Sequence, residues 1–216
     1  MLLSEVIPES IKTRVMDFQT CLESIEMSMP SEGFCSTHGE SDIAFAIHAP
    51  QSYQAESCDS EFVFFLDQKP FVREIGSKGY QIVAEQLTAQ LSFNTWAETA
   101  IEYVKVTTAG NWPGRDFSDF RRFLKACRSR QLHLSVVDFN WDEPLQLLKQ
   151  PLADFRTLYL VIVGDAFPDL SYCDALVEKI EAENPRIEAL FFGNEMRIGV
   201  PCKALLFGEL HHCLMR

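Results

Sequence analysis

The run Leu158-Tyr159-Leu160-Val161-Ile162-Val163-Gly164-Asp165 constrains this chain most. Six aliphatic or aromatic residues in a row end in a glycine and an acid. A strand covered on both faces of a parallel sheet reads as such an unbroken apolar run. It falls far short of the roughly 18 to 20 apolar residues that a membrane helix needs. Two further stretches can be laid over it: Leu132-His133-Leu134-Ser135-Val136-Val137-Asp138 and Ile187-Glu188-Ala189-Leu190-Phe191-Phe192-Gly193-Asn194. Ile101 to Thr108 is an earlier strand candidate, and the four starts lie 31, 26 and 29 residues apart.

Helical spacing separates these stretches. Phe120, Phe123, Leu124 and Cys127 share one face behind a cap at Asp116 or Ser118. Glu143 to Lys149 is shorter and stops before Pro151. Tyr172, Leu176, Val177 and Ile180 follow Ser171 and Asp174, which have the spacing of a capping box, and Pro185 closes the segment. Strand, helix, strand, helix is the order that parallel pairing demands, because parallel neighbours need a crossover. An open α/β sheet and a curved β/α solenoid both satisfy it, and the near-constant period favours the solenoid.

The N-terminal half reads differently. Ile11, Val15, Phe18, Leu22, Ile25 and Met29 recur at spacings of 4 and 3, which predicts a helix ended by Pro30 and Gly33. Ile43, Phe45 and Ile47 alternate with small residues and predict a half-buried strand. Glu61 to Leu66 predicts another, after a loop at 49–60. Tyr80, Val83, Leu87 and Leu91 predict a helix capped by Ser77. The expected fold class is therefore α/β: repeat-like β/α units with a mostly parallel sheet in the C-terminal half, and an N-terminal helix plus mixed strands. The expected organisation is an acidic α+β region over 1–95 and a repeat-like region over 96–216, with one continuous domain as the alternative.

Phe155-x-x-Leu158-x-Leu160 and Leu132-x-Leu134 resemble irregular leucine-rich-repeat units of the kind found in F-box substrate adaptors. The position of the repeat's Asn or Cys ladder falls on Val163. Val6-Ile7-Pro8-Glu9-Ser10-Ile11, followed by Val15, resembles the first helix of an F-box. The resemblance implies a protein–protein interaction module or adaptor with a leucine-rich-repeat-like surface and a protein partner. The alternative is a small α/β enzyme or ligand-binding domain that uses the C-terminal edge of its strands.

Charge narrows the partners. The net charge is −12, and residues 1–108 carry 16 acids against 6 bases, while 109–216 carry 15 against 13. Such a chain repels phosphate backbones, so no nucleic acid and no membrane is expected as partner. Seven cysteines at wide, irregular spacing, with no CxxC pair, read as reduced thiols. The N-terminus shows no secretory signal. The expected location is intracellular, cytoplasmic or nuclear.

Two sets of residues are candidates for binding. Arg121, Arg122, Lys125 and Arg128, with Arg130 nearby, crowd positive charge onto one stretch of an acidic chain. They fit a phosphate or an acidic peptide, or they form a solvated face neutralised by the N-terminal half. Asp138, Asp165 and Asn194 close the repeated strands, where open α/β folds place ligands; each is also a residue that turns prefer. Cys35, His38, His48 and Cys58 are zinc-ligand types at spacings too long to converge, and His211-His212-Cys213 offers adjacent imidazoles that a strand would point apart. No metal and no cofactor is expected. Gly110 to Asp116 is a turn-rich loop placed like a ligand loop. No G-x-S-x-G, P-loop or G-x-G-x-x-G occurs, so no catalytic residue is assigned.

Overall fold

The computed structural model describes residues 11–19, 41–69, 72–84, 92–108, 117–145, 154–165 and 170–211. Eight strands run β1 (Thr13–Asp17), β2 (Ser41–Ile47), β3 (Ser60–Asp67), β4 (Gly79–Val83), β5 (Gln131–Asp138), β6 (Phe155–Gly164), β7 (Ala189–Met196) and β8 (Lys203–Leu210). Among the described residues, three α-helices accompany them: α1 (Phe93–Thr108), α2 (Phe117–Ala126) and α3 (Leu170–Glu183). The strands form one sheet in the order β1-β2-β3-β4-β5-β8-β6-β7. Strands β1 to β5 pair in parallel, as do β6 and β7. Strand β8 is antiparallel to both β5 and β6, so β5 and β6 point the same way. The α/β class with a mostly parallel sheet is therefore the fold of this chain.

Both faces are covered. On one, α1 and α2 pack over Ile43, Phe45, Phe64, Tyr80, Tyr159, Val161 and Phe207. On the other, α3 covers Leu158, Leu160, Ile162 and Leu206 through Leu176 and Ile180. Under the β2–β3 connection, Ala44, Ala46, Val63 and Phe65 meet Ala49, Ala55 and Cys58. Strand β2 was expected to be half-buried, but Ala44 and Ala46 are as inaccessible as Ile43 and Phe45. Alanine on the second face leaves room for a loop, rather than a helix, to close over it.

Helix α2 ties the halves of the sheet together. Phe120 meets Phe62 and Phe64 of β3, Tyr159 of β6 and Phe207 of β8. Phe123 continues to Phe191 of β7. The expected inward set Phe120, Phe123, Leu124 and Cys127 is buried, as are Leu160 and Ile162, at 0% and 3% exposure.

Four local expectations give way, three of them to strand pairing. Thr13–Asp17 is a strand, not a helix, registered on Ile43–Ile47; Met16 and Phe18, two residues apart, pack on one face, while Val15 of the expected helical stripe is 50% exposed. The rest of that expected helix, 20–29, lies outside the described residues. Gly79–Val83 is a strand because Tyr80 and Ile82 alternate into the core, and Gly79 lets the chain pass Ile75, whose carbonyl oxygen would stand 2.2 Å from an added Cβ. Ile101–Thr108 is the second half of α1: Ala97, Ala100, Ile101 and Val104 make a helical stripe, and Thr107 and Thr108 turn their hydroxyls onto the carbonyls of Val104 and Lys105. Strands β5 and β6 are not neighbours, because β8 inserts between them. The short helix expected at 143–149 lies mostly outside the described residues.

Candidate functional site

All seven parallel strands end on one edge. In open α/β sheets, ligands bind outside the carboxyl ends of the strands. Asp138 is the last residue of β5, exposed, and opposite Lys203 of β8. Asp165 follows β6 directly and is exposed. Asn194 does not close its strand: β7 runs on to Met196, and the Asn194 amide donates to the Cys173 thiol of α3 at 3.5 Å. The β5 and β6 acids thus share an edge, while Asn194 serves the contact between sheet and helix.

The ladder sets a row across this edge: Asp138, Lys203, Val163 and Glu195. Glu195 is 8% exposed, and its Oε2 has no hydrogen-bond partner. Sequence reasoning missed it, because an acid at the end of an apolar strand looks like an ordinary turn residue. An aromatic corner borders the edge. Trp141, after β5, meets Phe139 and Tyr172 edge-on at 4.6 and 5.2 Å, and the Tyr172 hydroxyl donates to the Trp141 carbonyl at 2.7 Å. Farther along, His48 follows β2 with φ of 54°, a left-handed conformation uncommon outside glycine. Its Nδ1 lies 3.1 Å from Asp17 Oδ1, and its ring meets Phe93 at the start of α1. Asp17 escaped the sequence reading because its strand was read as a helix.

The thiol of Cys202, beside the edge, is pushed up from its usual value by burial and then by the Asp165 carboxylate. Deeper in the fold, burial drives Cys127 up to about 12, helped by Glu209.

The basic set sits at the other end of the strands. Arg121 donates to both carboxylate oxygens of Glu61 at 2.6 to 3.0 Å, near the start of β3, and stacks on Phe117 with its guanidinium carbon 4.4 Å from the ring centroid. Arg122 pairs with Asp119 at 3.1 Å. Arg128 pairs with Glu188, just before β7. Lys125 is exposed. Buried Glu209 accepts from the backbone N–H groups of Arg128 and Ser129, both at 2.8 Å, and from Arg156. The two expected binding sets therefore lie at opposite ends of the sheet.

Cys58 and His48 are also divided, since Cys58 precedes β3 and His48 follows β2, with Ser41 of β2 in register with Ser60 of β3. Among the described residues, no group of three or more His, Cys, Asp or Glu could hold a metal. Cys35, His38, His212, Cys213 and Gly110–Asp116 lie outside the described residues. No described helix is long and apolar enough to cross a membrane.

An open, mostly parallel sheet with helices on both faces defines the class of open α/β folds. Among solved structures, the chain is similar to CetZ from Methanosaeta thermophila strain DSM 6194, at 12% identity and a TM-score of 0.55, covering 91% of this chain and 66% of that one. It is also similar to CetZ1 from Haloferax volcanii, described as a GDP-bound monomer, at 10% identity and a TM-score of 0.50, covering 91% of this chain and 70% of that one. The likeness is one of fold. No family model matches the sequence. No curated protein matches it.

This likeness overturns the leucine-rich-repeat and F-box resemblance, and with it the adaptor reading. A repeat solenoid stacks like units in chain order. Here β8 interrupts that order, running antiparallel between β5 and β6, and one of the four presumed repeat strands is a helix.

Proposed function

We propose that this chain is a ligand-binding domain of CetZ-like fold, and that a nucleotide sits on the C-terminal edge of its sheet. The observation that carries this reading is that Asp138, Asp165 and Glu195 stand at one edge of a parallel sheet, which the Trp141–Tyr172 corner borders from the other face. Carboxylates accept hydrogen bonds from ribose hydroxyls, and aromatic faces stack on bases. The GDP named for the Haloferax CetZ1 structure makes guanine nucleotides the first class to test. The chain's own residues weight the contacts toward the nucleoside: the edge is acidic, and the sequence has no glycine-rich phosphate turn. Calorimetric titration with guanosine and with GDP is the test. The reading expects guanosine to bind within about tenfold of GDP, and Trp141→Ala to weaken both. If neither binds, the reading fails.

A second reading rests on charge. Arg122 and Lys125 are exposed at one end of the sheet, and Asp138, Asp142 and Asp165 at the other, while Arg121, Arg122 and Arg128 are each paired with an acid of this chain. Contact between these exposed bases and the exposed acids of a second copy favours head-to-tail association, weakened by salt. Sedimentation at low and high salt should show association only at low salt, and Arg122→Glu with Lys125→Glu should abolish it. A monomer under both conditions would exclude this reading.

A further inference from the structure

We infer that Glu195, with Asp165, forms a seat for a divalent cation at the ends of β6 and β7. Glu195 is more than nine-tenths buried, yet its Oε2 has no hydrogen-bond partner. A carboxyl group removed from water without a partner is costly, and a counter-ion is one way to offset that cost.

Among the described residues, no protein cation does so. Lys203 stands in the same row, but Val163 of β6 separates it from Glu195. Arg197, two residues on, is exposed, and among the described residues no ion pair joins it to Glu195. The nearby charge of opposite kind to a metal is a second carboxylate. Gly164 is in register with Met196, so Asp165, the next residue, lies diagonal to Glu195 across the β6–β7 ladder. Two oxygen-donor carboxylates, one buried and one open to solvent, match how Mg2+ and Ca2+ bind: few protein ligands, with water in the remaining positions. Thiolate and imidazole metals fit less well, since Cys173 is engaged with Asn194.

The inference needs only this edge geometry and not the nucleotide reading. If both hold, the ion would neutralise the edge toward phosphate oxygens.

The test is thermal unfolding of the full chain after chelation, with millimolar MgCl2 or CaCl2 added at constant ionic strength and no nucleotide present. Wild type should gain about 2–4 °C with at least one cation, in a saturable way. Glu195→Gln and Asp165→Asn should each lose that gain. Glu195→Gln should also melt higher than cation-free wild type, because the amide carries no charge; should that variant fail to fold, Asp165→Asn alone decides. No gain with either cation, or the same gain in wild type and in the folded variants, overturns the inference. Guanosine and GDP titrations without added cation judge the nucleotide reading separately.

Discussion

The guanidinium of Arg73 and the carboxylate of Asp67 pair at 3.0 Å, with side chains 0% and 4% exposed. Asp67 ends β3, and Arg73 lies in the connection to β4, its guanidinium carbon 4.3 Å from the centroid of Phe65. Arg73 also donates to the carbonyls of Ala49 and Pro50, so it fastens the chain leaving β2 over the second face of the sheet. Gln81 completes the network by donating to Asp67 at 2.8 Å and accepting from Gln131 of β5 at 2.9 Å.

Removing one member strands the other. Arg73→Ala should destabilise the fold by about 3–5 kcal/mol, the usual cost of an uncompensated buried charge. Replacing the pair together, as Asp67→Leu with Arg73→Met, should cost less than Arg73→Ala alone. Urea unfolding of the three proteins tests this; equal costs for single and double variants would show that packing, not charge, dominates.

Core truncations should be expensive on both faces. Leu160→Ala and Phe120→Ala each remove a side chain with no solvent exposure. The expected costs are about 2–5 and 3–5 kcal/mol. A chemical denaturation cost below about 1 kcal/mol for either would contradict its burial.

The pH dependence follows from Cys127. Its folded value of about 12 lies above the usual 9.0, so the folded state holds this proton more tightly than the unfolded chain does. The associated stability is fully present below pH 9.0 and is lost as pH rises toward about 12. Unfolding midpoints measured across that range should fall for wild type and fall less for Cys127→Ala. Identical slopes would count against a buried neutral thiol.

Surface pairs should matter little to stability. Arg121 and Glu61 are 40% and 39% exposed, so Arg121→Ala should cost about 0–1 kcal/mol, part of it from lost contact with the Phe117 ring. The electrostatic share should vanish in about 1 M salt, where the Debye length is about 3 Å. A large, salt-insensitive loss in melting temperature would mean that Arg121 acts mainly by packing.

Glycine at position 208 is required by sheet geometry. A Cβ there would stand 2.0 Å from the backbone oxygen of Thr157 on the neighbouring strand. Backbone in a central strand cannot yield, so Gly208→Ala should lower the melting temperature markedly. A variant as stable as wild type would show that β8 can shift its register.

By itself, the sequence determined the α/β class, strands overlapping 132–138, 158–163 and 187–194, the inward face of α2, and Leu176 and Ile180 on the inward face of α3, though not the exposure of Tyr172 or the burial of Cys173. Those features are local: an unbroken apolar run marks a strand covered on both faces, and 3.6-residue spacing marks a helix with one buried side. Tertiary structure decided the rest. Strand β8 joins the sheet by pairing Leu205 with Val161, 44 residues away, and Lys203–Leu210 carries no local sign of running antiparallel between two parallel neighbours. Short segments such as Thr13–Asp17 and Gly79–Val83 fit either period, and only a neighbouring strand, by taking up their backbone hydrogen bonds, makes them strands. The same pairing separated the basic residues from the acidic edge and buried Glu195. Backbone hydrogen bonds are the same for every residue type, so the sequence alone cannot say which strands they will join.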